Sequence, residues 1–146
     1  MADTIVVGYD GSEHANKALD AAVAFAKMMP DAHIMVACAQ DRPAPGIGFR
    51  GMDFGVEEMW DEQAKRIEEE LAVAAERVRA EGVSVATACT PEAPDVSIIT
   101  IARETDARLI VVGTRGSGAR EEQKTVLGST TTKVLHEAGG IPVLVV

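Results

Sequence analysis

Two short stretches of the chain combine glycines with hydroxyl and charged side chains, a mixture suited to holding a phosphorylated ligand. The first is Gly8-Tyr9-Asp10-Gly11-Ser12. The second is Gly113-Thr114-Arg115-Gly116-Ser117-Gly118, with Gly128-Ser129-Thr130-Thr131 a few residues on. Glycine lets backbone N–H groups approach a phosphate closely. A helix that starts at Ser129 offers free N–H groups and a positive dipole end. The hydroxyls of Ser129, Thr130 and Thr131 can add donors, and Arg115 can pair with a phosphate. Asp10 can accept hydrogen bonds from a ribose or a base. Either stretch alone reads as an ordinary strand-to-helix turn, and Ser129 alone as an ordinary N-cap. The two together tilt the reading toward a nucleotide.

The motifs that are missing narrow the chemistry. There is no G-x-x-x-x-G-K-[ST], the signature of a P-loop, and no G-x-G-x-x-G after the first apolar run. His14, His33 and His136 are scattered, without metal-ligand spacing. No G-x-S-x-G elbow occurs, and no Ser, His and acid residues form a recognisable triad. The sequence therefore nominates no catalytic residue and no metal ligand. Turnover of a bound nucleotide would have to come from positioning plus a metal ion, and the expectation is slow turnover or none.

The elements that must position these residues are legible from periodicity. Ile5-Val6-Val7-Gly8-Tyr9 reads as a strand buried on both faces. Ala15, Ala18, Leu19, Ala22, Ala26 and Met29 step by three and four, predicting a helix that Pro30-Asp31 ends. A second strand follows at 33–39. Pro43, Pro45 and four glycines make 41–55 a loop, long enough to serve as a lid or a surface insert. A long helix is predicted over 56–80, with Val56, Trp60, Ala64, Ile67, Leu71, Ala75 and Val78 as its apolar stripe. Its acidic residues, Glu68, Glu69 and Glu70 among them, read as a solvated face. Gly82 suits its C-terminal end. Further strands are expected at 83–89, 109–112 and 141–146. A helix opens at Pro94, and another spans 129–138. Strict β-α alternation with apolar strands implies an α/β fold, a parallel open sheet with helices on both faces. In such a sheet ligands bind outside the carboxyl ends of the strands, where the strand order reverses. Both glycine-rich stretches fall there.

Composition bounds the partners. The chain has 146 residues, read as one domain over 1–146, with 47% apolar and 25% charged residues. Aromatics are only 3%, so aliphatic side chains must fill the core. A formal net charge of -9 disfavours nucleic-acid backbones and anionic membranes as partners. No apolar run approaches the ~20 residues of a membrane span. The N-terminus carries no basic region or cleavage site of a secretory signal. Cys38 and Cys89 form no CxxC pair, as expected of reduced thiols in a cytoplasmic protein.

Gly113-x-x-Gly116 followed by Gly128-Ser129 resembles the G-x-x-G-x9-G-[ST] nucleotide loop of universal stress proteins. Val7-Gly8-Tyr9-Asp10-Gly11-Ser12 is similar to that family's opening strand and turn. Leu109 to Gly116 and Ile141-Pro142-Val143-Leu144-Val145-Val146 are similar to its last two strands. The resemblance implies a Rossmann-like sheet of order 3-2-1-4-5, a homodimer, and ATP or a related adenine nucleotide, with or without Mg2+. Carried over residue by residue, Asp10 sits by the adenosine, with Gly8 and Tyr9 lining the base. Val112 packs near the base or sugar, and Cys38 matches an adenine-lining position. Gly113, Arg115, Gly116, Gly128, Ser129, Thr130 and Thr131 hold ribose and phosphates. In the implied strand order 141–146 lies at a sheet edge, so the homodimer is expected to form through it.

One feature departs from the family pattern. Ser117 to Leu127 place eleven residues between the second and third glycines, where the family has nine. That puts the triphosphate geometry in question. Two functional readings follow. The first is a nucleotide-binding regulator of the stress response, acting as a homodimer on an unnamed protein partner. The alternative is a dimeric interaction protein of the same fold that has lost nucleotide binding.

Overall fold

Ile5, Val6 and Val7 are all fully buried in the computed structural model, which describes residues 2–40, 55–115 and 127–146. A strand can bury consecutive residues only if both its faces are covered, because successive side chains point opposite ways. That strand is β1 (Asp3–Gly8). The chain continues through α1 (Glu13–Met28), β2 (Ala32–Ala39), α2 (Val56–Ala80), β3 (Ser84–Thr90) and α3 (Pro94–Glu104). It ends with β4 (Leu109–Val112), α4 (Ser129–Glu137) and β5 (Val143–Val145).

All neighbouring strands are parallel, in the order β3-β2-β1-β4-β5. The order expected from the resemblance is thus the one found. The chain builds outward from β1 to β3, then crosses back to lay β4 on the other side of β1. Hence the strand order reverses between β1 and β4.

Two apolar layers hold the sheet. On one face Ile5, Val7, Ile34, Val36 and Val111 pack with Leu19 of α1 and Leu71 and Val78 of α2. On the other, Val6, Ala37, Ile110 and Val112 pack with Ile98 and Ile101 of α3 and Val134 of α4. Helix starts and stops follow local chemistry. Ser12 caps α1, its Oγ accepting the Ala15 N–H at 3.1 Å. Pro94 occupies the first turn of α3, where its missing N–H costs nothing. Gly82, at φ +77°, takes the left-handed turn just past α2, after Glu81 as C-cap.

The last strand is shorter than the predicted 141–146. Ile141 gives its N–H to the Ala138 carbonyl at 3.2 Å, so it closes α4 instead of joining the sheet. Pro142 has no N–H, though its carbonyl accepts from Ile110 at 2.9 Å. Of the loop expected over 41–55, residues 41–54 lie outside the described residues. Among the described residues no helix is long and apolar enough to cross a membrane.

Candidate functional site

The reversal between β1 and β4 leaves a gap at their carboxyl ends, and a cleft of about 900 Å³ opens there. This size falls within the range of small-molecule sites. Gly8, Tyr9 and Asp10 reach it from the end of β1, and Cys38 from the end of β2. Val112, Gly113 and Arg115 reach it from β4 and its following turn. Gly128, Ser129, Thr130 and Thr131 line it at the start of α4. Gly116, the remaining residue nominated from the sequence, lies outside the described residues, as does most of the long segment that follows it.

The turn after β1 is locked by its own hydrogen bonds. The Asp10 carboxylate accepts the Ser12 N–H at 2.9 Å, a side-chain turn typical of Asp. Gly11 takes φ +79°, which an L side chain rarely adopts. The Tyr9 hydroxyl donates to Asn16 Oδ1 at 2.9 Å. Burial, then the Glu70 carboxylate, hold the Tyr9 hydroxyl above its ordinary pKa. Tyr9 therefore stays a neutral donor across the physiological range.

The turn after β4 is locked from both sides. A Cβ on Gly113 would lie 2.9 Å from the His14 Cβ and 3.1 Å from the His14 carbonyl. Only glycine lets β4 leave the sheet so close to the first turn of α1. The Thr131 hydroxyl donates to the Gly113 carbonyl at 2.7 Å, and the Gly128 N–H donates to the Thr114 carbonyl at 2.8 Å. The first turn of α4 is thereby pinned across the end of β4. Thr131 is buried and its hydroxyl proton is committed to Gly113. What Thr131 can offer a ligand is its backbone N–H, not the side-chain donor expected from the sequence. Among the described residues no side chain caps α4, so its first-turn N–H groups are the open donors of a helix start. Beside them, Arg115 Nε is buried and has no hydrogen-bond partner among the described residues.

The sequence reading missed one wall. Gln63, Arg66, Ile67 and Glu70 of α2 line the cleft, and Pro94 and Ile98 of α3 close its far side. Glu70 reaches over the β1 turn, where a Cβ on Gly11 would lie 2.8 Å from a Glu70 carboxylate oxygen. Its assignment to a purely solvated face is therefore corrected: Glu70 is exposed, but exposed into the cleft mouth. A signal was present in the steps of three and four from residue 63 to residue 70. The apolar stripe masked it, because Ile67 belongs to both. Along that stripe only the later part, Leu71, Ala75 and Val78, is buried, while Trp60, Ala64 and Ile67 are half-exposed. The first half of α2 therefore flanks the cleft and the second half packs on the sheet.

Cys38 sits at the base of this wall. It is 8% exposed, and Ser97 Oγ donates to its carbonyl at 3.2 Å. Among the described residues no three or more His, Cys, Asp or Glu side chains are grouped to hold a metal.

The sequence model of the universal stress protein family matches residues 1–146. The chain belongs to the universal stress protein family. A universal stress protein of Thermus aquaticus is 36% identical over 152 aligned positions, covering 100% of this chain and 99% of that protein. Among solved universal stress proteins, UspA from Lactobacillus plantarum superposes with a TM-score of 0.81 at 23% identity, covering 99% of this chain and 97% of that one. A universal stress protein solved in complex with cAMP superposes with a TM-score of 0.67 at 26% identity, covering 99% and 95%. The first structure shares the α/β fold, with its parallel sheet of order 3-2-1-4-5.

Proposed function

We propose that this universal stress protein binds an adenine nucleotide in the cleft, and that occupied and empty states differ for a protein partner. The observation that carries the reading is Arg115. Its Nε is buried and has no hydrogen-bond partner among the described residues, next to a start of α4 that no described side chain caps. An unsatisfied buried donor costs ~1–3 kcal/mol, and a phosphate oxygen at this place would satisfy it. The N–H groups of Ser129, Thr130 and Thr131 add donors from the same side. At the other end Gly8, Val112, Cys38 and Ile98 make an apolar wall suited to the face of a base. Asp10 lines the same cleft, and its carboxylate is suited to accept from a ribose or the base edge. Adenine is the favoured base because a relative of the same fold was solved with cAMP.

ATP and AMP are both candidates. With a triphosphate, Mg2+ would neutralise the outer charges through phosphate oxygens, since the protein offers no carboxylate cage among the described residues. Cys38 and Cys89 are free thiols, in keeping with a cytoplasmic setting. The protein would act as a homodimer through its last strand.

Mass spectrometry of the ligand released from freshly purified, denatured protein tests the reading. An adenine nucleotide in the released fraction is the expected result. No ligand, together with no thermal shift on adding ATP, AMP or cAMP, would overturn it in favour of a dimeric interaction protein.

A further inference from the structure

Cys38 and Cys89 stand side by side, because the parallel register of β2 and β3 pairs them residue for residue. Neighbouring strands lie about 4.8 Å apart. Disulfide-bonded residues span about 4.4–6.8 Å between Cα atoms. Opposed residues of a ladder project to the same face, so both thiols lie on the side of the sheet covered by α1 and α2. Closing the bond needs the two Cβ atoms slightly nearer than the usual strand spacing. β3 is an edge strand, and among the described residues no strand lies on its outer side to resist that movement.

The two thiols differ in their surroundings. Cys89 is exposed, whereas Cys38 is buried and lines the cleft. Burial pushes the Cys38 thiol up to about 12, and the adjoining Cys89 adds to the effect. Cys38 therefore remains a covered, neutral thiol, and Cys89 is the sulfur that a solute meets first.

We propose that this pair is a modification site for hydrogen peroxide or an organic hydroperoxide, in which Cys89 is oxidised first and Cys38 then closes a disulfide across the β2–β3 ladder. The Cys89 thiolate attacks one peroxide oxygen and the O–O bond breaks. This gives a sulfenic acid on Cys89 and releases hydroxide, or alkoxide from an organic hydroperoxide. The Cys38 sulfur attacks the Cys89 sulfur, the S–O bond breaks, and the departing hydroxide takes the Cys38 proton as water. Two thiols and one hydrogen peroxide thus yield one disulfide and two waters. On the nucleotide-binding reading, drawing the Cys38 sulfur toward β3 also reshapes the base end of the cleft. The oxidation itself does not depend on that reading.

The test is intact-mass spectrometry of the reduced wild-type protein after hydrogen peroxide treatment and alkylation with iodoacetamide. The expected product has lost two hydrogens, takes up no alkyl group, and regains both alkylation sites after dithiothreitol. Peptide mapping should join Cys38 to Cys89 within one chain. In Cys38→Ser the oxidised Cys89 should be trapped by dimedone, and in Cys89→Ser the Cys38 thiol should survive the same treatment. Oxygen addition without loss of two hydrogens in the wild type would overturn the proposal. So would two alkylatable thiols at a peroxide dose that oxidises free cysteine, or disulfides found only between chains. The wild-type measurement decides even if a variant fails to fold. It uses no nucleotide, so its failure leaves the nucleotide reading standing, and the reverse also holds.

Discussion

Asp10 and Cys38 are single side chains that line the cleft and also bear on the folded state. The Asp10 carboxylate already accepts the Ser12 N–H at 2.9 Å, so replacing it removes a turn contact as well as the proposed ligand contact. Asp10→Asn separates the two, because the amide oxygen can still accept from Ser12 while the charge is gone. A hydrogen bond to a charged group contributes ~1.5–3 kcal/mol. Asp10→Ala should therefore weaken adenine-nucleotide binding roughly ten- to hundredfold, and Asp10→Asn should lose most of the same affinity while keeping the wild-type melting temperature. Calorimetry that shows unchanged affinity in a folded Asp10→Ala protein would remove Asp10 from the site. Cys38 gives a pH prediction. Its folded pKa is raised, chiefly by burial, to about 12, against ~8.5 for an unfolded thiol. Below ~8.5 both states hold the proton and the full stability is present. Above it the unfolded state releases the proton while the folded state keeps it, so stability falls as pH rises toward about 12. Urea melts at increasing alkaline pH should show a shallower decline in Cys38→Ala than in the wild type. Parallel declines would mean that the thiol does not contribute.

At the scale of elements, the sequence was most informative where a pattern had a single cause. β1, β2 and β4 read as apolar runs because both of their faces are buried, and Pro94 marked the start of α3 because few other positions tolerate proline. It was least informative where one residue served two neighbours. Ile67 belongs to the apolar stripe of α2 and to the cleft wall, so the steps that placed Gln63, Arg66 and Glu70 beside it looked like ordinary solvated positions. Ile141 and Pro142 looked like strand because they are followed by three strand residues, yet the turn that closes α4 claims the Ile141 N–H. Thr131 read as a phosphate donor, and only the approach of the Gly113 carbonyl, made by tertiary packing, takes its hydroxyl away. Gly113 is the element-scale counterpart of these cases. It was nominated as a ligand residue, and it is also the point where β4 passes the first turn of α1 at a distance no Cβ allows. Gly113→Ala should force α1 and β4 apart and cost ~1–3 kcal/mol. At ~2–4 °C per kcal/mol for a chain of this size, the melting temperature should fall by several degrees. An unchanged melting temperature would mean that the α1–β4 contact is soft and does not fix the cleft.

At the scale of the whole molecule, the sheet ends in two unlike edges. β3 is seven residues long, with Ser84, Thr87 and Thr90 among them, whereas β5 is short and wholly apolar: Val143, Leu144 and Val145. Among the described residues β5 pairs with β4 alone, and its three residues stay half-exposed although Leu144 packs toward one core layer and Val143 and Val145 toward the other. An apolar edge strand attracts another strand unless charge, proline or a covering element prevents it. Pairing two β5 edges about a two-fold axis would satisfy their outer backbone groups and bury these side chains in one step. It would also extend both core layers across the axis, since β5 contributes to each. A lysine at Val145 would place a charge in that seam twice, once from each copy, so the symmetry doubles the penalty. Val145→Lys should therefore shift the protein from a two-chain to a one-chain mass in light scattering, with circular dichroism confirming that the fold survives. Val96→Lys, an equally conservative surface change on α3 (Val96 is 42% exposed), should leave the two-chain mass intact. A wild-type protein that scatters as one chain at high concentration would rule out this interface.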